Sequence, residues 1–147
     1  TPKVGGNVQR VFFDFIEKYF FDSENVIFHR PMQGFRSRGF EPTKGHFGID
    51  YSAKEGTPIF ATTNGYVIFS DYTVDDGFMI ILAHAEGYLS FYKHCSQLLK
   101  KERDIVTQGE IIALSGNSGY QTSGPHLHFE IWKDGMPIDP EKILVKF

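Results

Sequence analysis

Gly116-Asn117-Ser118-Gly119-Tyr120-Gln121-Thr122-Ser123-Gly124-Pro125-His126-Leu127-His128-Phe129-Glu130-Ile131-Trp132 passes from a turn-rich loop into a run where polar and apolar side chains alternate. In an extended chain successive side chains point to opposite faces, so His126, His128 and Glu130 share one face and Leu127, Phe129 and Ile131 the other. That alternation predicts a half-buried strand with its apolar face in the core. Two imidazoles side by side on the open face suit a metal site or proton transfer, because neutral imidazole is a zinc ligand and titrates near neutral pH. They suit a hydrogen-bonded surface pair equally well, so other stretches have to discriminate. The Gly-rich run from Gly116 to Gly124 is not a phosphate loop, since it lacks the Lys-Ser/Thr ending and leads into a strand rather than a helix.

Upstream of this run, Val106 to Gly116 reads as a turn followed by a strand; downstream, a Lys133-Asp134-Gly135 turn leads to Pro137-Ile138-Asp139-Pro140 and a closing segment. Far earlier, His46-Phe47-Gly48-Ile49-Asp50-Tyr51 repeats the pattern, with His46, Gly48 and Asp50 on one face and Phe47, Ile49 and Tyr51 on the other. Four residues of ideal strand span about 13 Å between Cα atoms, whereas side chains sharing one metal each bring an atom to about 2 Å from it. If His46 and Asp50 bind one ion, the chain bends between them. Gly48 is the residue that permits the bend and leaves space for the ion.

Between these motifs, Gly56 to Ala61 and Asn64 to Ser70 read as two strands joined by a tight Asn-Gly turn. Phe78 to His84 and Leu89 to His94 read as a hairpin across Ala85-Glu86-Gly87. Strict alternation points His94 with Tyr92 to one side and Phe91, Lys93 and Cys95 to the other. Ser96 to Arg103 reads as a polar connection with one helical turn. Asp71 to Gly77 lacks the regular acidic spacing and terminal Glu of a calcium loop and reads as solvated. His84 is expected to be a hydrogen-bonded structural residue, His29 structural or exposed, and Cys95 a small apolar filler.

At 147 residues and 41% hydrophobic, the chain is long enough to bury a core as one globular domain. Fifteen Phe and seven Tyr favour sheet over helix, so a mainly β protein is expected. A net charge of −3 with scattered Lys and Arg lacks the footprint of a nucleic-acid binder. The single cysteine, Cys95, excludes an internal disulfide and a Cys-rich structural zinc site, so any metal is held by His and carboxylate. No run approaches the roughly 18 apolar residues of a membrane span, and no signal peptide is visible. The chain opens with Thr1-Pro2 rather than Met, so a targeting signal, a membrane anchor or a regulatory segment is expected outside it. Residues 7–21 contain no Gly or Pro, and Val8, Phe12, Phe15 and Tyr19 recur at helical spacing behind a possible Asn7 cap. A short helix is expected there, dividing the chain into an N-terminal helical extension over 1–25 and a main domain over 26–147.

Together, His46-x-x-x-Asp50, His94 after Phe91-Tyr92-Lys93, and His126-x-His128 within Gly124 to Glu130 resemble the lysostaphin/LytM-type zinc metallopeptidases. Those enzymes cut the peptide part of bacterial peptidoglycan. The resemblance covers about residues 27 to 140, including Gly56-Thr57-Pro58, Asn64-Gly65-Tyr66-Val67 and Gly109-Glu110-Ile111-Ile112. It implies a groove built on antiparallel sheets, with the N-terminal helix outside the shared core. It also implies His46, Asp50 and His128 as ligands of a Zn2+ ion, and His94 and His126 as catalytic histidines. The implied substrate is the peptide stems and cross-bridges of peptidoglycan, and the implied location is the cell envelope, periplasmic or extracellular. Cys95 stands where relatives carry an aliphatic residue.

Elementary coordination chemistry agrees with that implication. Two His and one Asp leave one position of a tetrahedral zinc open, whereas closed structural sites normally use four protein ligands. The HExxH motif, whose Glu serves as base, is absent, so proton transfer falls to groups such as His94 and His126. Glu130 reads either as a carboxylate that orients His128 or as a rim charge. Two other readings compete: a catalytically silent module that binds cell wall or regulates a hydrolase, and a sugar-transport phosphocarrier of related sheet architecture. Silent relatives lose ligands that this chain keeps, and a phosphocarrier has no need of His46-x-x-x-Asp50.

Overall fold

Ten strands form one antiparallel sheet in a computed structural model that describes residues 26–119, 122 and 124–146. In chain order they are β1 (Phe35–Arg38), β2 (Ile49–Ser52), β3 (Pro58–Phe60), β4 (Gly65–Thr73), β5 (Gly77–Ala83), β6 (Tyr88–Leu98), β7 (Ile105–Val106), β8 (Ile111–Ser115), β9 (His126–Lys133) and β10 (Met136–Ile138). The main path runs β1-β2-β9-β6-β5-β4-β7, with β10 added to β9 and the β3–β8 pair joined through β6. The architecture is the mainly β, antiparallel one expected. The helix expected over 7–21 and the extension over 1–25 lie outside the described residues.

The alternating run beginning at His126 is the inner strand β9, held between β2 and β6. Its apolar face supplies Leu127, Phe129 and Ile131, all fully buried. Phe129 is the cross-strand partner of Ile49 on one side and Tyr92 on the other, so one apolar layer joins three strands. On the opposite face His128 lies between Asp50 and Lys93. Core packing and site assembly are therefore two sides of one register, and a one-residue slip would exchange them.

Three expectations are corrected. The Asn64-Gly65 turn does not close a β3–β4 hairpin: β3 pairs with β8, and β4 pairs with β5 and β7. Ala61 bonds to the segment before β8 through its N–H to the Glu110 carbonyl and its own carbonyl to the Gly109 N–H, which draws β3 away. Gly65 does not have a positive φ; a Cβ there would lie 2.9 Å from the His84 ring, so the glycine makes room rather than a turn. Second, β6 continues to Leu98 on β8, where a polar connection was expected. Third, His94 does not point with Tyr92. Tyr92 is fully buried in the core, while His94 takes a left-handed φ of 65° at an irregularity opposite β5 and reaches the polar face alongside Lys93.

His84 is structural, as expected. It is 1% exposed, its Nδ1–H donates to the Asn64 carbonyl (2.6 Å), and its Nε2 lies 2.7 Å from the Ser90 hydroxyl. Burial pushes its pKa down to about 4 from 6.5, against the opposing pull of the Asn64 carbonyl. Between those values the unfolded chain binds a proton that the folded chain excludes, so stability is full above about pH 6.5 and is lost as pH falls. A shift of this size corresponds to at most about 3 kcal/mol. Urea unfolding across that pH range is expected to show the decline, and His84→Gln to flatten it; an unchanged slope in the variant would assign acid sensitivity elsewhere.

Candidate active site

The polar face of β2 and β9 gathers the residues that the sequence singled out. His46 precedes β2, in a bridge with Glu41 across a short 3-10 turn, Pro42–Lys44. Its Nδ1–H donates to the Gly39 carbonyl (2.7 Å), leaving Nε2 3.1 Å from Asp50 Oδ2. The bend expected at Gly48 is present, because β2 starts only at Ile49. The space it leaves serves the protein rather than an ion: a Cβ there would lie 2.3 Å from the Phe129 carbonyl oxygen and 2.8 Å from Glu130 Cγ. Gly48→Ala is therefore expected to cost about 1–3 kcal/mol by overpacking and to weaken metal binding by displacing His46. Denaturant unfolding and metal titration of the same variant check both effects.

Asp50 lies at the centre. Its Oδ1 is 2.7 Å from His128 Nδ1 and 3.8 Å from His126 Nε2, while Oδ2 faces His46. Burial alone would raise its pKa, but the His128 hydrogen bond and the three imidazoles reverse this, and the carboxyl lies below its ordinary range. One donor atom from each of His46, Asp50 and His128 lies within 4.8 Å of the others. Ligand atoms around a tetrahedral zinc with bonds near 2.0 Å stand about 3.3 Å apart. Two imidazole nitrogens and a carboxylate oxygen are a donor set that suits such an ion, and they already lie within 4.8 Å of one another.

His94 and His126 lie beside this trio, their ring centroids 5.0 Å apart. Each donates Nδ1–H to a backbone carbonyl at 2.7 Å, Ser118 for His94 and Gly124 for His126, so each keeps a free Nε2. Burial lowers the His94 pKa and outweighs the Ser118 carbonyl, which favours the neutral base. The strained backbone of His94 is held from two sides: its N–H donates to the Asp76 carbonyl (2.8 Å), and the Ser118 hydroxyl donates to the next carbonyl, Cys95 (2.5 Å), while accepting from Phe78 N–H (3.1 Å). Gly77 and Gly119 allow that close packing; a Cβ on Gly119 would meet Gly77 N at 2.4 Å.

These side chains line a cleft of roughly 320 Å³, edged by Arg38, Asp76, Lys93 and Phe47, which is 40% exposed at the cleft rather than buried with Ile49 and Tyr51 as alternation predicts. Asp76 corrects the expectation of a solvated acidic loop: its carboxylate is 3.3 Å from Lys93 Nζ and its carbonyl holds His94. Alternation had placed Lys93 away from His94, and the left-handed residue that brings both to the cleft has no local signature. Ser118 was inside the quoted loop, but its clamp links segments far apart in sequence. Glu130 is not a rim charge: it is 6% exposed and bonded to His128 Nε2 (2.7 Å). Burial opposes its charge, but the His128 and Lys93 contacts bring its pKa down to about 2.

A family profile described as Peptidase family M23 matches residues 44–140. Peptidoglycan DD-endopeptidase ShyA of Vibrio cholerae is 33% identical over 144 residues, covering 95% of this chain and 31% of its own length. DD-carboxypeptidase/endopeptidase Mpg of Neisseria meningitidis is 37% identical over 98 residues, covering 67% of this chain and 22% of its own. The chain thus spans less than a third of either relative. Among solved structures, a zinc-containing peptidase from Vibrio cholerae matches with a TM-score of 0.71 and 30% identity, over 78% of this chain and 39% of that one. The catalytic domain of the antimicrobial peptidase lysostaphin from Staphylococcus simulans matches with a TM-score of 0.62 and 27% identity, over 80% of this chain and 88% of its own.

Proposed function

Because this chain belongs to peptidase family M23, we propose that it is a zinc-dependent endopeptidase that hydrolyses peptide cross-links of bacterial peptidoglycan. The observation that carries this reading is the convergence of His46, Asp50 and His128 within one ligand radius, with the free Nε2 atoms of His94 and His126 beside them. A zinc ion held by the first three supplies Lewis acidity, polarising a carbonyl and making water acidic near neutral pH. His46 offers Nε2, Asp50 a carboxylate oxygen and His128 its Nδ1. His94 and His126 accept and return protons at Nε2 while their Nδ1–H bonds keep the rings aimed into the cleft. The backbone carbonyls of Ser118 and Gly124 thereby fix which nitrogen is basic. Arg38, Phe47 and Asp76 edge the space where the peptide stems would lie.

The names of the similar proteins support a substrate whose scissile bond joins two D-centres, such as the link between D-alanine and a diamino acid, rather than a glycyl bridge, which has none. They also support a place in the cell envelope, with any anchor or regulatory segment outside this chain. A silent wall-binding module fits less well, because nothing in this site has lost its metal-ligand or acid/base chemistry. Digestion of sacculi carrying either cross-link type, followed by mass spectrometry, tests the reading. Cleavage of the direct D-alanyl cross-link by zinc-loaded protein, abolished by a chelator, is expected. Failure to cut either type, under conditions where a known endopeptidase cuts, would defeat it.

A further inference from the structure

His46, His94 and His126 each donate Nδ1–H to a backbone carbonyl and turn Nε2 into the cleft, where that of His46 meets Asp50, whereas His128 is turned the other way. Its Nδ1 faces Asp50, and its Nε2 faces a side chain, Glu130. Both partners are carboxylates, but Asp50 belongs with His46 to the trio that would share an ion, whereas Glu130 holds the other ring nitrogen and so aims Nδ1 at that trio. Glu130 is itself held by two further donors: Trp132 Nε1–H on Oε1 at 2.8 Å, and Lys93 Nζ on Oε2 at 3.1 Å. Lys93 bridges from there to Asp76 at 3.3 Å, and the carbonyl of that same Asp76 accepts from His94 N–H.

We propose that Glu130, held by Trp132 and Lys93, is a positioning residue that sets the ring orientation of His128, and that the Lys93–Asp76 ion pair ties it to the turn that holds His94. The inference rests on the zinc reading of the site. One chain of charged contacts then connects the ligand trio to an acid/base histidine, through Glu130, Lys93 and Asp76, none of which belongs to the trio. The direction of the chain follows from the register: Lys93 and His128 are cross-strand partners, and Lys93 precedes His94 directly. A single lysine thereby reaches the outer partner of the ligand and, through Asp76, the backbone of the catalytic candidate.

The test compares wild type, Glu130→Gln, Glu130→Ala and Lys93→Met by zinc competition against a chelator and by imidazole nitrogen NMR of the metal-free proteins. Orienting partners of metal-bound histidines are worth about 10–100-fold in affinity or activity. Glu130→Ala is expected to weaken zinc binding within that range and to loosen the His128 ring, broadening its nitrogen signals. Glu130→Gln, which keeps one acceptor and the side-chain size, is expected to recover part of both losses. Lys93→Met is expected to lower turnover about 10-fold or more at saturating zinc, with a smaller change in affinity. Wild-type affinity and an unchanged His128 signal in folded Glu130→Gln and Glu130→Ala would overturn the inference while leaving the peptidase reading in place. Wild-type protein that binds no zinc would instead overturn that reading, and the NMR comparison would still decide whether Glu130 orients the His128 ring.

Discussion

Asp50→Ala is expected to bind zinc at least about 100-fold more weakly, beyond the upper end of what losing an orienting partner costs, and to cut cross-links no faster than chelator-treated wild type. The carboxylate lies within 4 Å of nitrogens on His46, His126 and His128, so its removal takes away one of three donors and the negative charge that those three imidazoles share. The fold should survive, because the neighbours Ile49 and Tyr51 pack on the opposite face of β2 and stay buried. Metal content per chain and thermal unfolding of metal-free protein separate the two outcomes. Stoichiometric zinc at wild-type affinity in the folded variant would remove Asp50 from the ligand set.

His94→Ala and His126→Ala are expected to behave in the opposite way: zinc content near that of wild type, and turnover lowered about 10²–10⁴-fold, the usual worth of a placed general acid or base. Both rings have Nδ1 committed to a backbone carbonyl, and His94 lies outside the ligand trio, its ring centroid 6.5 Å from that of His128. Turnover of zinc-loaded variants on one defined cross-linked peptide is the measurement. A variant that loses its zinc along with its activity would reassign that histidine to metal binding.

Much of this site is readable from local pattern, since its chemistry sits on two short alternating segments. His126-Leu127-His128-Phe129-Glu130-Ile131 and Gly48-Ile49-Asp50-Tyr51 each sort into a buried and an open face by period-two geometry alone, and the apolar set is buried in the structure. The Asn64-Gly65 signal misled because the choice of strand partner is a long-range competition. Ala61 finds its backbone partners near β8, more than forty residues on, and His84 occupies the space where a side chain at residue 65 would lie. His94 was identified by resemblance, but its direction was not, because a left-handed non-glycine residue survives only where surrounding contacts enforce it.

Local residue chemistry in the sequence thus determined the mainly β class, which face of β2 and β9 is buried, and the His, Asp and carboxylate groups available for a metal. Tertiary structure alone decided that β9 lies between β2 and β6, which sets His128 opposite both Asp50 and Lys93, and that Asp76 and Ser118 brace His94. The physical reason is range. Side-chain alternation is dictated by each residue's own backbone geometry, whereas register, tautomer and left-handed strain depend on partners brought together only when distant strands pair.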